Sequence, residues 1–247
     1  MLNSKTTIFA AVCSSVLLAV TPALSADYDA TEKSPLYELH LRVPAAAIAI
    51  SPLKDKILAL HGADAEQAKA DAKEDKEDNP SFHPYSIDTI WRVTFENEFV
   101  LSLSGDTNAD TGGAHPNQGF QTIVWDKKAN RPVPIEALFQ SDQVKAALKA
   151  IADAAGKTWT KIYTQRSGQS PGPDADLVET GIGADPEKLG TYALTYAKGQ
   201  TAANGIVLLY GAGQIWPHAL GDFRVAVPAA VFTRYLAPQW RGIFVAS

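Results

Sequence analysis

The chain has 247 residues, of which 46% are hydrophobic and 20% charged, and its formal net charge is −5. This length is enough for a well-buried core in one domain or in two small ones. A mildly acidic surface disfavours nucleic acid and anionic lipid as partners, whereas it favours a cationic partner. After the N-terminal segment, no apolar run approaches the ~18 residues that a membrane span needs.

The N-terminal segment 1–26 is typical of a secretory signal peptide. Lys5 precedes an apolar run over 8–20, and small residues then lead to Ala26. This order matches a charged region, an apolar region and a cleavage site. We expect export to the periplasm with cleavage near Ala26. The only cysteine, Cys13, lies within this segment, so we expect an exported chain without disulfides.

Period-two alternation of apolar and polar residues predicts strands in the first half of the chain. The alternating runs are 37–43, 85–95 and 99–103, and a further strand is predicted at 120–125. The short polar turn 96–98 joins two of these runs, which predicts an antiparallel hairpin. The predicted fold class is α+β, with an antiparallel meander of hairpins covered by a few helices, in one domain or two closely packed halves.

Several segments have helical or polar patterns. The charged segment 63–78 indicates either a solvated helix or a partly disordered excursion. Ser141 is a candidate N-cap for a helix whose apolar residues recur at helical spacing over 144–155. Trp159 belongs either to this helix or to a second one. Pro228 is expected to open a terminal helix that reaches Leu236.

Three further strands are predicted in the second half, over 192–196, 206–210 and 223–227. Before them, the segment 167–190 is dense in glycine, proline and aspartate and has no apolar period. It is therefore predicted to be a long surface loop, of the kind that is often functional or mobile.

The turn at 111–117 is the most distinctive stretch of the chain. Gly112 and Gly113 allow the backbone to adopt positive φ, and Pro116 holds His115 in an extended conformation. The segment therefore predicts a rigid turn that carries a histidine between two strands.

Acidic and amide side chains precede this turn in the spacing of a calcium-binding loop. Asp106, Asn108 and Asp110 occupy its first, third and fifth places. However, Thr111 and Asn117 stand where such a loop has glycine and glutamate, so a hairpin end rich in aspartate and asparagine is the favoured interpretation. The candidate partner-binding residues are Asp106, Asn108, Asp110, Gly112, Gly113, His115 and Asn117.

Two patterns raise the possibility of catalysis. The Gly-x-Ser-x-Gly at 168–172 resembles a hydrolase nucleophile elbow, but Pro171 has no N–H for an oxyanion hole and no strand precedes the serine. His115 with Asp106 or Asp110 could form a histidine- or metal-dependent hydrolase site. The five histidines lack the spacing of a zinc motif, so no metal or cofactor is predicted.

The sequence Gly-Gly-Ala-His-Pro-Asn at 112–117 resembles a signature of the RsiV-like family of exported domains of unknown function. The segment 214–228 resembles the closing pattern of the same family, although His218 stands where a tyrosine is common. The part 27–127 resembles the domain that accompanies the catalytic domain of the peptidoglycan deacetylase PdaC, and 128–247 resembles the RsiV-like closing part.

This resemblance implies a non-catalytic exported module of mixed α and β structure, and in RsiV such a module binds lysozyme. We therefore predict a soluble periplasmic binding module that recognises a lysozyme-type protein or peptidoglycan. The alternative is the hydrolase centred on His115. A purely structural envelope protein is left open by the sequence.

Overall fold

The computed structural model describes residues 26–172, 181–196, 201–216 and 218–245. Positions 1–25 of the predicted signal peptide lie outside the described residues. The strands are β1 (Tyr28–Lys33), β2 (Tyr37–Val43), β3 (Tyr85–Glu96), β4 (Val100–Asp110), β5 (Asn117–Asp126), β6 (Arg131–Pro132), β7 (Tyr192–Thr195), β8 (Gly205–Tyr210) and β9 (Phe223–Pro228). The helices are α1 (Ala45–Ile48), α2 (Ser51–Asp78), α3 (Val144–Ser167) and α4 (Pro186–Leu189). Short 3-10 turns cover Ile135–Leu138, His218–Leu220, Ala229–Val231, Thr233–Tyr235 and Pro238–Trp240.

The described strands form a six-stranded sheet, β1 to β6 in chain order, and a three-stranded sheet, β7 to β9. The predicted α+β class is therefore confirmed. From β3 to β6 the first sheet is the predicted meander, with every pair antiparallel. Strands β2 and β3 are parallel instead, because α1 and α2 carry the chain back across the sheet between them.

Helix α2 covers one face of the first sheet. Leu53 and Ile57 are fully buried and pack with Leu41 and Trp91 of the strands. The charged segment 63–78 belongs to the same helix, because small alanines at helical spacing remain buried while the charges face outward. Among the described residues, no helix has both the length and the apolar character that a membrane crossing needs.

Helix α3 covers the second sheet and departs from the prediction at its start. It begins after Gln143 without a side-chain cap, so Ser141 is not the N-cap. It continues past Gly156 through Trp159 and ends at Gly168, whose φ of +72° is favourable for glycine. The helix thus includes both segments that the sequence left as one helix or two.

The prediction of a terminal helix from Pro228 to Leu236 is wrong. The segment forms short 3-10 turns because its backbone pairs with a distant strand-like segment of the chain. Phe139 and Leu236 form an isolated β-bridge, and the Ala237 N–H donates to the carbonyl of Leu138 at 2.9 Å. These bonds require an extended backbone where a helix would have to continue.

The two sheets share one hydrophobic core. A register shift between Val93 and Phe95 turns Phe95 toward α3 and the second sheet, where it joins Val100 and Val124 in that core. The Leu194 N–H donates to Ser102 Oγ at 2.9 Å and ties β7 to β4. Farther along β4, Arg224 of β9 reaches Asp106, with 3.3 Å between Nη2 and Oδ2. The division of the chain at 127/128 stays a prediction.

Candidate functional site

An open groove of about 190 Å³ lies where the far end of the first sheet meets the start of β9. Its wall consists of charged and amide side chains around two apolar ones. The lining residues are Asp88, Ile90, Arg92, Asp106, Thr107, Asn108, Gln118, Phe120, Asp222 and Arg224. A concave site between two packed parts of a chain is a common position for ligand binding.

The groove residues come from neighbouring strands in register. Asp88, Asn108 and Gln118 form one row across β3, β4 and β5. Ile90, Asp106 and Phe120 form the next row. Because alternate residues of a strand point to the same face, these two rows line one continuous surface. The site is therefore built on a rigid sheet.

Asp106 is the centre of the charge network in the groove. Its carboxylate accepts hydrogen bonds from Arg92 Nη1 at 2.7 Å, from Arg224 Nη2 at 3.3 Å and from Ser104 Oγ at 2.8 Å. Arg224 also contacts Asp222 and lies over the Phe120 ring, 4.7 Å from its centroid. Asp106 thus links the first sheet to β9 of the second sheet.

The second wall of the groove is fixed by α3. Arg166 Nη1 donates to the carbonyls of Leu220 and Asp222, at 2.9 and 2.5 Å. The Arg166 guanidinium also lies over the Phe223 ring at 4.7 Å. Since both carbonyls flank the start of β9, these contacts position Asp222 and Arg224 against the first sheet.

His40 of β2 extends the polar row beside the groove. Its Nδ1 lies 2.5 Å from Asp88 Oδ1, and its Nε2 lies 2.9 Å from Asp29 Oδ1. The hydrogen bonds to Asp88 and then to Asp29 raise the pKa of the His40 imidazole, against a smaller opposing effect of burial. The charged form of His40 therefore ties the edge strand β1 to β3.

This arrangement predicts a pH-dependent stability. Because the pKa of His40 is raised on folding, its contribution is complete below the unfolded pKa, about 6.5, and is lost as the pH rises through the folded pKa. We expect His40→Gln to lower the free energy of unfolding by about 0.5–1 kcal/mol at about pH 5.5, since both aspartates are partly exposed. The difference should shrink toward alkaline pH.

Urea unfolding of native protein and variant across this pH range measures the effect. His83→Gln, which changes an exposed histidine, is the matched control and should show no such trend. A destabilisation by His40→Gln that stays constant with pH would contradict the role given to its charge.

The histidine turn lies at the exposed end of the groove. Asp110 Oδ1 accepts a hydrogen bond from the Gly112 N–H at 3.0 Å, and the Gly112 φ of +80° is one that glycine tolerates best. The His115 ring stacks on the His218 ring, with centroids 5.8 Å apart and planes 18° apart. The turn 111–117 and the 3-10 turn His218–Leu220 therefore meet in space.

The structure divides the candidate partner-binding residues into two groups. Asp106 and Asn108 line the groove, and the exposed turn and its flanks carry the others: Asp110, Gly112, Gly113, His115 and Asn117. Residues 106–110 lie at the end of the β4–β5 hairpin, as predicted, and β4 continues through them to Asp110 with β3 and β5 paired on its two sides. Those pairings align the oxygens along one strand face, whereas a calcium loop wraps them around an ion.

Sequence reasoning missed most of the groove. Asp88 and Arg92 alternate along a predicted strand, so their common face could have been recognised as polar, whereas Gln118 lies outside the predicted strands. The position of Arg224 had no local signal, since it lies 118 residues from Asp106 in the chain.

The groups of the predicted hydrolase site do not pair with one another. The carboxylate of Asp106 already accepts hydrogen bonds from two guanidinium groups. Asp110 accepts from the backbone of its own turn. In the described part of the chain, His115 makes no hydrogen bond to either aspartate, and no group of three or more His, Cys, Asp or Glu residues is placed to hold a metal ion.

Comparison with known proteins gives matches of three kinds: curated relatives, solved structures and a family model. The chain is 23% identical over 128 residues to two curated proteins, the immunogenic proteins MPB64 of Mycobacterium bovis and MPT64 of Mycobacterium tuberculosis. This alignment covers 52% of the chain and 48% of each mycobacterial protein, so the chain spans about half the length of the curated relatives it matches.

Two solved structures also resemble the chain. A DUF3298 family protein from Pseudomonas aeruginosa has a TM-score of 0.56 at 15% identity, covering 90% of this chain and 96% of its own. A DUF3298 family member from Bacteroides fragilis has a TM-score of 0.48 at 17% identity, covering 87% of this chain and 95% of its own.

Residues 30–118, which include β3, β4 and the histidine turn, match the family model described as deacetylase PdaC. The first half of the chain is thus similar to the PdaC family, and the fold is similar to that of the Pseudomonas DUF3298 protein.

Proposed function

We propose that this chain is an exported, non-catalytic binding protein of the cell envelope, and that its partner is wall glycan or a wall-directed enzyme of the lysozyme type. The observation that carries the proposal is the groove, in which the carboxylate of Asp106 is already paired with Arg92 and Arg224. Such a site offers fixed donors and acceptors without an available base or nucleophile.

Three further observations support the proposal. The segment 1–26 has the pattern of a signal peptide, which favours a partner outside the cytoplasm. Residues 30–118 match the family model described as deacetylase PdaC. Since this part of the chain also resembles the domain that accompanies a peptidoglycan deacetylase, the match favours a partner in the cell wall. The acidic net charge would also suit attraction to a cationic lysozyme.

Binding of the exported protein, residues 27–247, to two partners tests the proposal. One arm measures co-sedimentation with insoluble peptidoglycan, and the other measures the heat of titration with a c-type lysozyme. We expect saturable binding in one of these arms that survives a rise from low to moderate salt. Binding to neither partner would contradict the proposal. So would binding that disappears with salt, because screening removes attraction that is only between net charges.

A further inference from the structure

Two amide side chains in the groove are available for a ligand. Asn108 and Gln118 are opposite each other on β4 and β5, and both residues are exposed. Their side chains make no hydrogen bond with another described residue, whereas the arginines and aspartates beside them are paired. Each amide can both donate and accept, so the pair offers neutral hydrogen-bonding groups of both kinds.

The next row of the groove is partly apolar. Ile90 and Phe120 flank Asp106 in this row, and both are half-buried. The guanidinium of Arg224 lies over the Phe120 ring, with its central carbon 4.7 Å from the ring centroid. A ligand in the groove would therefore meet an apolar surface on one side and amides on the other.

The charges of the groove are nearly balanced. Its two arginines lie among three aspartates, Asp88, Asp106 and Asp222, and Asp88 is also bonded to His40. A balanced set gives no strong field to attract a phosphate or a divalent cation. It fits an uncharged ligand with many hydroxyl groups, since each hydroxyl can both donate and accept.

We infer that the groove is a saccharide subsite for an N-acetylated amino sugar, and this inference rests on the proposed function. The volume of about 190 Å³ is small for a ligand pocket and suits a single sugar ring of a longer chain. The amides of Asn108 and Gln118 bind the polar edge of the ring. The acetamido methyl group contacts Ile90 and Phe120. An unmodified hexose has no such methyl group and would leave both side chains without an apolar partner.

The test is calorimetric titration of the exported protein with a soluble tetramer of β-1,4-linked N-acetylglucosamine. A β-1,4-linked glucose tetramer serves as the comparator without acetamido groups. We expect the acetylated tetramer to bind saturably and more tightly than the glucose tetramer. The double variant Asn108→Ala, Gln118→Ala should bind it about tenfold more weakly, as expected for the loss of two neutral hydrogen bonds.

The matched control is the double variant Gln67→Ala, Gln239→Ala. It removes two exposed amides outside the groove, one on α2 and one near the C-terminus, and should bind as the native protein does. Thermal unfolding midpoints close to the native value show that both double variants are folded.

Three results would overturn the inference. The first is that the native protein does not bind the acetylated tetramer, the second is that it binds both tetramers equally, and the third is that the groove variant binds like the control. If binding to insoluble peptidoglycan or lysozyme persists in any of these cases, the saccharide subsite is wrong and the proposed function stands. If the native protein binds neither the tetramer, nor peptidoglycan, nor lysozyme, both the saccharide subsite and the proposed function are wrong.

Discussion

Trp159→Ala is expected to lower the free energy of unfolding by about 3–5 kcal/mol, the usual range for truncating a buried aromatic residue. Trp159 is 1% exposed. Its ring lies 5.1 Å from Tyr163, 5.4 Å from Trp216 and 6.1 Å from Phe223. This cluster joins α3 to β9 and to the segment before it, so its loss would also loosen the second wall of the groove.

Urea unfolding followed by circular dichroism measures this effect. Thr160→Ala on the exposed side of the same helix is the control, and it should change stability by about 0.5 kcal/mol or less. Trp159→Phe should lower the free energy of unfolding less than Trp159→Ala does. Phenylalanine keeps an aromatic ring in the core, and Trp159 Nε1 is buried without a hydrogen-bond partner among the described residues, so no hydrogen bond is lost. A Trp159→Ala variant as stable as Thr160→Ala would show that the cluster does not hold the two elements together.

Gly211→Ala is expected to lower the free energy of unfolding by about 1–3 kcal/mol, as overpacking typically does. A Cβ atom at Gly211 would lie 2.4 Å from the carbonyl oxygen of Gln118. The Cβ position is fixed by the backbone of residue 211, and the oxygen belongs to the backbone of Gln118. Neither atom can therefore move aside as the end of a flexible side chain could. The clash would also displace Gln118 at the groove, and we therefore expect weaker binding of whichever partner the native protein recognises.

Gly119→Ala is the matched control, since a Cβ atom there meets no other atom within 4 Å. This substitution should leave stability within about 1 kcal/mol of the native value. Thermal unfolding of both variants, with partner binding measured in parallel, makes the comparison. Equal stability of the two variants would contradict the close approach of the chain at Gly211 to β5.

Much of the fold could be predicted from local patterns. The strand over Tyr85–Glu96 and its hairpin partner follow from period-two alternation. The parallel pairing of β2 with β3 could also have been inferred, because a helical crossover separates them. β1 was missed, since its six residues are mostly polar and it pairs only as an edge strand.

The groove could be predicted only in part. The polar stretch 106–110 looks like a turn on composition alone, and pairing on both sides makes it a strand. Once it is a strand, Asp106 and Asn108 share one face. The approach of Arg224 depends on packing between distant parts of the chain, which no local pattern encodes.

The stacking of His115 on His218 shows the same limit. Each histidine stood out within its own stretch of sequence, but their contact joins the β4–β5 turn to the 3-10 turn before β9. A role for His115 in recognition stays a prediction. Its exposure at the end of the groove is compatible with contact to a long partner that extends beyond the single-ring subsite.

The central claim is that the groove between the two sheets is the recognition surface. Hydrogen–deuterium exchange of the exported protein, with and without peptidoglycan fragments, tests it most directly. We predict slower exchange in the bound state over 106–120 and 222–224, which line the groove and carry the histidine turn. Protection confined to α2, which covers the opposite face of the first sheet, would contradict the claim.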